Sequence, residues 1–142
     1  MRYWDSSALL PHVVAETATP ALRALLSADP DVLTWWGSRV EAQSALARLA
    51  REGTLSGALH QACLQRLEAF AASLDEVVPT EAVRDQAARL LRLHPLRAGD
   101  ALTLAAAGVA SEHRPPSLPL VTLDARLREA AEREGFPVLP PR

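Results

Sequence analysis

The chain has 142 residues and a formal net charge of −2, enough length to bury roughly two-thirds of its unfolded surface as one domain without staples, and no global positive field with which to grip nucleic acid. Its one cysteine, Cys63, lies in an apolar helical stretch, which rules out disulfides and cysteine zinc sites and fits a core thiol in a reducing, cytoplasmic setting. No apolar run reaches the ~20 residues of a membrane span, and the start MRYWDSS lacks the apolar core of a secretory signal.

In chain order, residues 3–4 read as a short strand, followed by helices over 7–14 and 20–27 and a second strand over 32–35. Helices over 38–52 and 56–73, joined by GTLSG, contain little that suits a sheet and are expected to protrude as a hairpin. A strand over 76–78 then leads into helices over 80–93 and 100–111. The segment HRPPSLP is a loop, because adjacent prolines cannot continue a helix. A strand over 118–123, a helix over 125–134 and a short strand over 138–139 complete the chain, with Gly53 and Gly135 placed as left-handed helix ends. Apolar runs alternating with helical periodicity predict a single α/β domain over 1–142, a three-layer sandwich around a mainly parallel sheet.

Four acids mark the ends of these elements. Asp5 follows the first strand, Glu41 lies in the first turn after VLTW, Asp100 opens DALTLAAAGVA, and Asp124 follows LPLVTL. Each has a local explanation. Asp5 caps the helix that follows; Ser38 and Glu41 spell a capping box; Asp100 and Asp124 are ordinary N-caps. Local caps do not explain why all four fall at one edge of a parallel sheet, where ligands collect beyond the carboxyl ends of the strands. Two carboxylates ~5 Å apart repel by roughly 3 kcal/mol at an effective dielectric near 20, so a converging set is partly protonated or holds a cation. Oxygen donors alone select Mg²⁺ or Mn²⁺, and such a site suits phosphodiester hydrolysis.

Other residues receive plainer readings. Strand alternation sends one of Trp35 and Trp36 into the core and leaves the other outside, with packing preferred to stacking on RNA; Trp4 is core by position. His12, His60, His94 and His113 lack ligand spacing and read as packing or surface groups. All 15 positive charges are arginine. The lack of lysine argues against a phosphatase-like site built on an Asp5 nucleophile, since such sites generally neutralise the phosphoryl group with lysine.

The segments YWDSSALL, SRVEAQSALARL, LRAGDALTLAAA and LVTLDARLREAAEREG, in that order along nearly the whole chain, resemble the PIN-domain ribonucleases, in particular the VapC-type toxins of toxin–antitoxin pairs. The resemblance implies a PIN-like fold and a Mg²⁺- or Mn²⁺-dependent endoribonuclease whose acidic quartet is Asp5, Glu41, Asp100 and Asp124. It places Ser7 and Thr122 as groups that orient a carboxylate or bound water, and Arg97 as a contact to substrate phosphate or a partner of the acids. It implies RNA as substrate, 5′-phosphate and 3′-hydroxyl ends as products, a homodimer, and a small antitoxin with a basic C-terminal segment. Two positions depart from the family pattern: Thr103 stands where many relatives carry histidine, and Pro11 where a lysine is common. A non-catalytic PIN-like module that binds RNA or antitoxin is the alternative.

Overall fold

The computed structural model describes residues 1–141. Five strands, β1 (Arg2–Trp4), β2 (Val32–Trp35), β3 (Asp75–Val77), β4 (Leu120–Val121) and β5 (Val138–Leu139), form one sheet in the order β3-β2-β1-β4-β5, parallel throughout. Between β1 and β2 run α1 (Ser6–Leu9) and α2 (Thr19–Ala28), and between β2 and β3 run α3 (Ser38–Arg51) and α4 (Gly57–Ala71). The chain crosses from β3 to β4 through α5 (Glu81–Leu93) and α6 (Ala98–Ala110), and from β4 to β5 through α7 (Ala125–Arg133).

The strands are short; the three inner ones, β1, β2 and β4, are mostly buried, as a doubly covered parallel sheet requires, while the edge strands β3 and β5 are half-buried or exposed. Successive side chains point to opposite faces. Tyr3, Trp35 and Leu120 join a core with α5, α6 and α7; Trp4, Val32 and Val121 join another with α1 and α2. The hairpin α3–α4 has its own apolar seam of Ala42, Leu46, Cys63 and Leu67, closed by Val13, whose carbonyl accepts from Cys63 Sγ at 3.6 Å.

The chain winds leftward from β1 to β3 and then returns to lay β4 on the other side of β1. The sheet order therefore reverses at β1, and the crevice beyond the carboxyl ends of β1 and β4 is the topological switch point of the fold.

Several expected boundaries shift for physical reasons. The first helix stops at Leu9 and tightens into a 3₁₀ turn over Leu10–His12, because Pro11 has no N–H to give an α-helical bond. Helix α6 begins at Ala98, so Asp100 is its third residue and not its cap. The strand expected over 118–123 is reduced to Leu120–Val121, with Pro119 unable to donate to a ladder. HRPPSLP contains a single 3₁₀ turn, Pro115–Ser117.

Candidate active site

Asp5 emerges from β1 in extended conformation and caps α1. Both of its oxygens are held by Ser7: the backbone N–H donates to Oδ2 at 3.0 Å and the hydroxyl to Oδ1 at 2.8 Å. Ser7 is itself fixed by the strand end next door, since its Oγ accepts the Leu123 N–H at 2.9 Å and lies 3.4 Å from Thr122 Oγ1. Thr122 Oγ1 accepts the Asp124 N–H at 3.0 Å. Two hydroxyls thus knit the end of β1 to the end of β4. Asp124 caps α7 as expected, with Oδ1 accepting the Leu127 N–H at 2.7 Å.

Glu41 departs from its local explanation. Gly37 occupies the cap position of α3 with no side-chain bond, and Ser38 is the first helical residue. The capping box does not form. Glu41 Oε2 instead accepts from the hydroxyl of Ser6 at 2.9 Å, a partner 35 residues away in sequence that no local pattern signals. The first turn of α6 closes in from the other side: a Cβ on Gly99 would sit 3.6 Å from Glu41 Oε1. Asp100 on that turn accepts the Arg97 N–H at 3.3 Å.

Like charge links the four acids pair by pair, Asp5 with Asp124 and Glu41 with Asp5 and Asp100. Asp5 is 5% exposed. Burial pushes its pKa from 3.8 to about 6; hydrogen bonds from Ser7 and Thr122 oppose the rise and the charge of Asp124 adds to it. Glu41 is raised by burial and by the charges of Asp5 and Asp100, against the Ser6 hydrogen bond. Tyr3, fully buried beneath them, is pushed well above its usual value by burial and then by Asp5 and Glu41. Its hydroxyl donates to the Thr103 carbonyl at 2.8 Å and so anchors α6 to β1. Thr103, at the position where relatives carry histidine, is buried and serves through its backbone.

None of the four acids enters an ion pair among the described residues. Arg97 is exposed and does not pair with them through its guanidinium, contrary to one of its two expected roles. Among the described residues no three acidic, His or Cys side chains stand together as a finished metal cage. The donor chemistry nevertheless fits a hard cation. Glu41, Asp100 and Asp124 each use one oxygen, Glu41 toward Ser6 and the other two within their own helix starts, and leave the other, Oε1, Oδ1 and Oδ2 respectively, without a hydrogen-bond donor. The histidines stay out of this region: His12 packs its ring 5.5 Å from Trp4 and 5.2 Å from Phe70, and His94 pairs with Glu134.

The comparisons with known proteins agree with this architecture. Over 138 residues the chain is 30% identical to ribonuclease VapC45 of Mycobacterium tuberculosis (strain CDC 1551 / Oshkosh) and to ribonuclease VapC49 of Mycobacterium tuberculosis (strain ATCC 25618 / H37Rv), covering 97% of this chain and 94% of each relative. The fold is similar to that in the crystal structure of FitAcB from Neisseria gonorrhoeae, with a TM-score of 0.68 over 99% of this chain and 97% of that one at 19% identity. Residues 2–133 match the PIN domain, and the chain belongs to the PIN-domain family.

Proposed function

We propose that this chain is a metal-dependent endoribonuclease, the toxin of a toxin–antitoxin pair, acting on RNA phosphodiesters through Asp5, Glu41, Asp100 and Asp124. One observation carries the proposal. Asp5, Glu41, Asp100 and Asp124 come from four separate elements, are linked by like-charge interactions (Asp5 with Asp124, Glu41 with Asp5 and Asp100), and among the described residues none of them is paired with any of the chain's arginines. The four would hold Mg²⁺ or Mn²⁺ through oxygen. When bound, the ion supplies Lewis acidity toward the phosphate and acidifies water for in-line attack.

The chain's own residues set the geometry. Ser7 locks the rotamer of Asp5 and transmits the position of β4 to it. Thr122 fixes the backbone that presents Asp124. Arg97, exposed at the start of α6 beside Asp100, offers a guanidinium to the substrate phosphate. An unneutralised acidic row is also a receptor for an arginine or lysine, which supports inhibition by a small antitoxin with a basic C-terminal segment. The family resemblance further supports a homodimer and products with 5′-phosphate and 3′-hydroxyl ends.

The test is cleavage of a pool of structured RNAs by purified, antitoxin-free protein with Mg²⁺, Mn²⁺ or EDTA. Metal-dependent cutting lost in both Asp5→Ala and Asp100→Ala is the expected result. A folded wild type that cuts no RNA with any metal would instead favour a non-catalytic binding module.

A further inference from the structure

Trp36 takes no part in the acidic row, yet it stands on the same edge of the sheet. It directly follows β2, whose neighbour β1 is directly followed by Asp5, and it precedes Glu41 by five residues. Tyr3, Trp4, Trp35 and Phe136 are all buried, whereas Trp36 is 54% exposed. Strand alternation accounts for one tryptophan inside and one outside, but it gives no packing role to the outer one.

The outer indole is held in place. Its backbone N–H donates to the Val77 carbonyl at 3.1 Å, and its ring meets Trp35 edge-on with centroids 6.4 Å apart at 72°. Gly37 then turns the chain where a Cβ would come within 2.5 Å of Trp35 Nε1. An aromatic surface already fixed in this way loses little conformational entropy when something stacks on it.

Arg39 lines the same shallow depression, together with Val40 and Glu76. Its guanidinium is loosely engaged, 3.5 Å from Glu68 and 3.9 Å from Glu76, and its Nε is buried without a hydrogen-bond partner. An aromatic face beside a guanidinium held only by long, partly exposed ion pairs, from which it can turn to a phosphate, is the combination that single-stranded RNA uses, a stack for the base and a charge for the phosphate. With a net charge of −2 and no lysine, RNA contact depends on such local arginines. A second copy of the chain seated on Trp36, Val40 and Val78 would bury the Arg39–Glu68 and Arg39–Glu76 ion pairs with them, a desolvation cost that a stacked base with a solvated phosphate avoids.

We propose that Trp36 and Arg39 form a nucleotide subsite, in which an unpaired base of the RNA stacks on Trp36 and its phosphate meets Arg39. The subsite rests on the nuclease reading and gives it a contact that selects unpaired over base-paired RNA.

The experiment measures binding of a fluorescent single-stranded oligoribonucleotide, with Mg²⁺, to Asp5→Asn protein that also carries Trp36→Ala, Trp36→Phe or Arg39→Gln. Sedimentation runs alongside, and steady-state cleavage is measured for the same changes in the wild-type background. Trp36→Ala is expected to weaken binding about tenfold, raising KM with kcat little changed, while Trp36→Phe retains most of the affinity. Arg39→Gln lowers the steepness of the salt dependence by about one phosphate contact. Unchanged RNA affinity and cutting in Trp36→Ala overturn the subsite alone, as does a loss that appears only because the protein changes its oligomeric state. If protein with Trp36 intact neither binds nor cuts RNA, the nuclease reading falls and the subsite falls with it.

Discussion

Helix α7 carries an acidic residue at each end, and the fold treats the two ends in opposite ways. At its start, Asp124 acts on Asp5, and Asp5 on Glu41, where burial and like charge push carboxyl pKa values up and only hydroxyls and backbone N–H groups answer. At its far end, about 15 Å away by helical rise, Glu134 accepts from His94 Nε2 at 2.7 Å and from Arg89 at 2.8 Å. Burial raises Glu134 too, but those bonds and the charge of Arg89 outweigh it and its pKa falls below the usual value. Desolvation acts at both ends; the difference is a neighbouring cation. Among the described residues the chain pairs arginine with Glu134 and with none of Asp5, Glu41, Asp100 and Asp124, the contrast expected if those four acids hold an ion from outside, as proposed.

The most severe way to break this comparison is to remove the charge of Asp5 while keeping its shape. Asparagine still caps a helix: its one carbonyl oxygen still accepts the Ser7 N–H, and its amide NH2, in place of the other acceptor oxygen, donates toward Ser7 Oγ. Asp5→Asn should lower RNA cleavage by more than the ~10–100-fold that losing an outer support of a metal site costs, measured as the single-turnover rate in Mg²⁺. The same change should make the metal-free protein more stable at neutral pH, because it deletes a buried charge that has no partner. A variant that loses both activity and stability would show Asp5 to be a structural cap.

The pH dependence of stability sharpens the contrast. A folded-state pKa of about 6 against an ordinary 3.8 means that folded Asp5 holds its proton more tightly than the unfolded chain does. Its contribution to stability is complete below pH 3.8 and declines as pH rises through 6, a loss of about 3 kcal/mol in the absence of metal. Glu41, also raised, acts in the same direction. Glu134 has the opposite sign: lowered from 4.5, it adds stability above that pH and gives it up as pH falls through its folded value. Thermal unfolding of EDTA-treated protein between pH 5 and 7.5 should therefore show a decline that Asp5→Asn makes much shallower, leaving the part due to Glu41. Mg²⁺ should restore more stability at the upper pH than at the lower. Identical profiles for the two proteins would remove the buried charge from the account.

Much of this contrast can be read along the chain, and the unread part has a common cause. Trp4 is legible as core by its position, and strand polarity puts Asp5 and Asp124 at one edge. The serine and glutamate of the apparent capping box mislead, because tertiary contact wins: Ser6, brought alongside by the α1–α3 packing, takes the Glu41 carboxylate that a local motif assigns to Ser38. The Tyr3 anchor on Thr103 spans 100 residues and leaves no periodic trace. Pro11 is a different case. Its missing N–H is legible as a helix stop, and the longer helix over 7–14 gives too much weight to the apolar run around it.

Ser7 tests whether position alone matters on the acidic side. Alanine there removes the hydroxyl donor to Asp5 and leaves the Leu123 N–H without its acceptor. The four carboxylates and their charge are untouched. Ser7→Ala should slow cleavage by about 10–100-fold, mainly in kcat, with RNA binding to the Asp5→Asn form little altered by the added change. An effect confined to KM would assign the hydroxyl to substrate and not to Asp5.

Glu134→Gln carries the smallest expected effect and is the counterpart of Asp5→Asn at the other end of α7. The amide still reaches His94 and Arg89, but the charge that made those bonds strong is gone, at a cost of about 1.5 kcal/mol in urea unfolding at neutral pH. RNA cleavage at a permissive temperature should be unchanged, because the site lies beyond the opposite end of the helix. If Asp5→Asn gains stability and loses activity while Glu134→Gln loses stability and keeps activity, the two ends of one helix are separated by function. A fall in cleavage on Glu134→Gln would mean that strain at the His94–Glu134–Arg89 knot reaches Asp124 through α7, and the acidic row would then depend on a support that its own hydrogen bonds do not reveal.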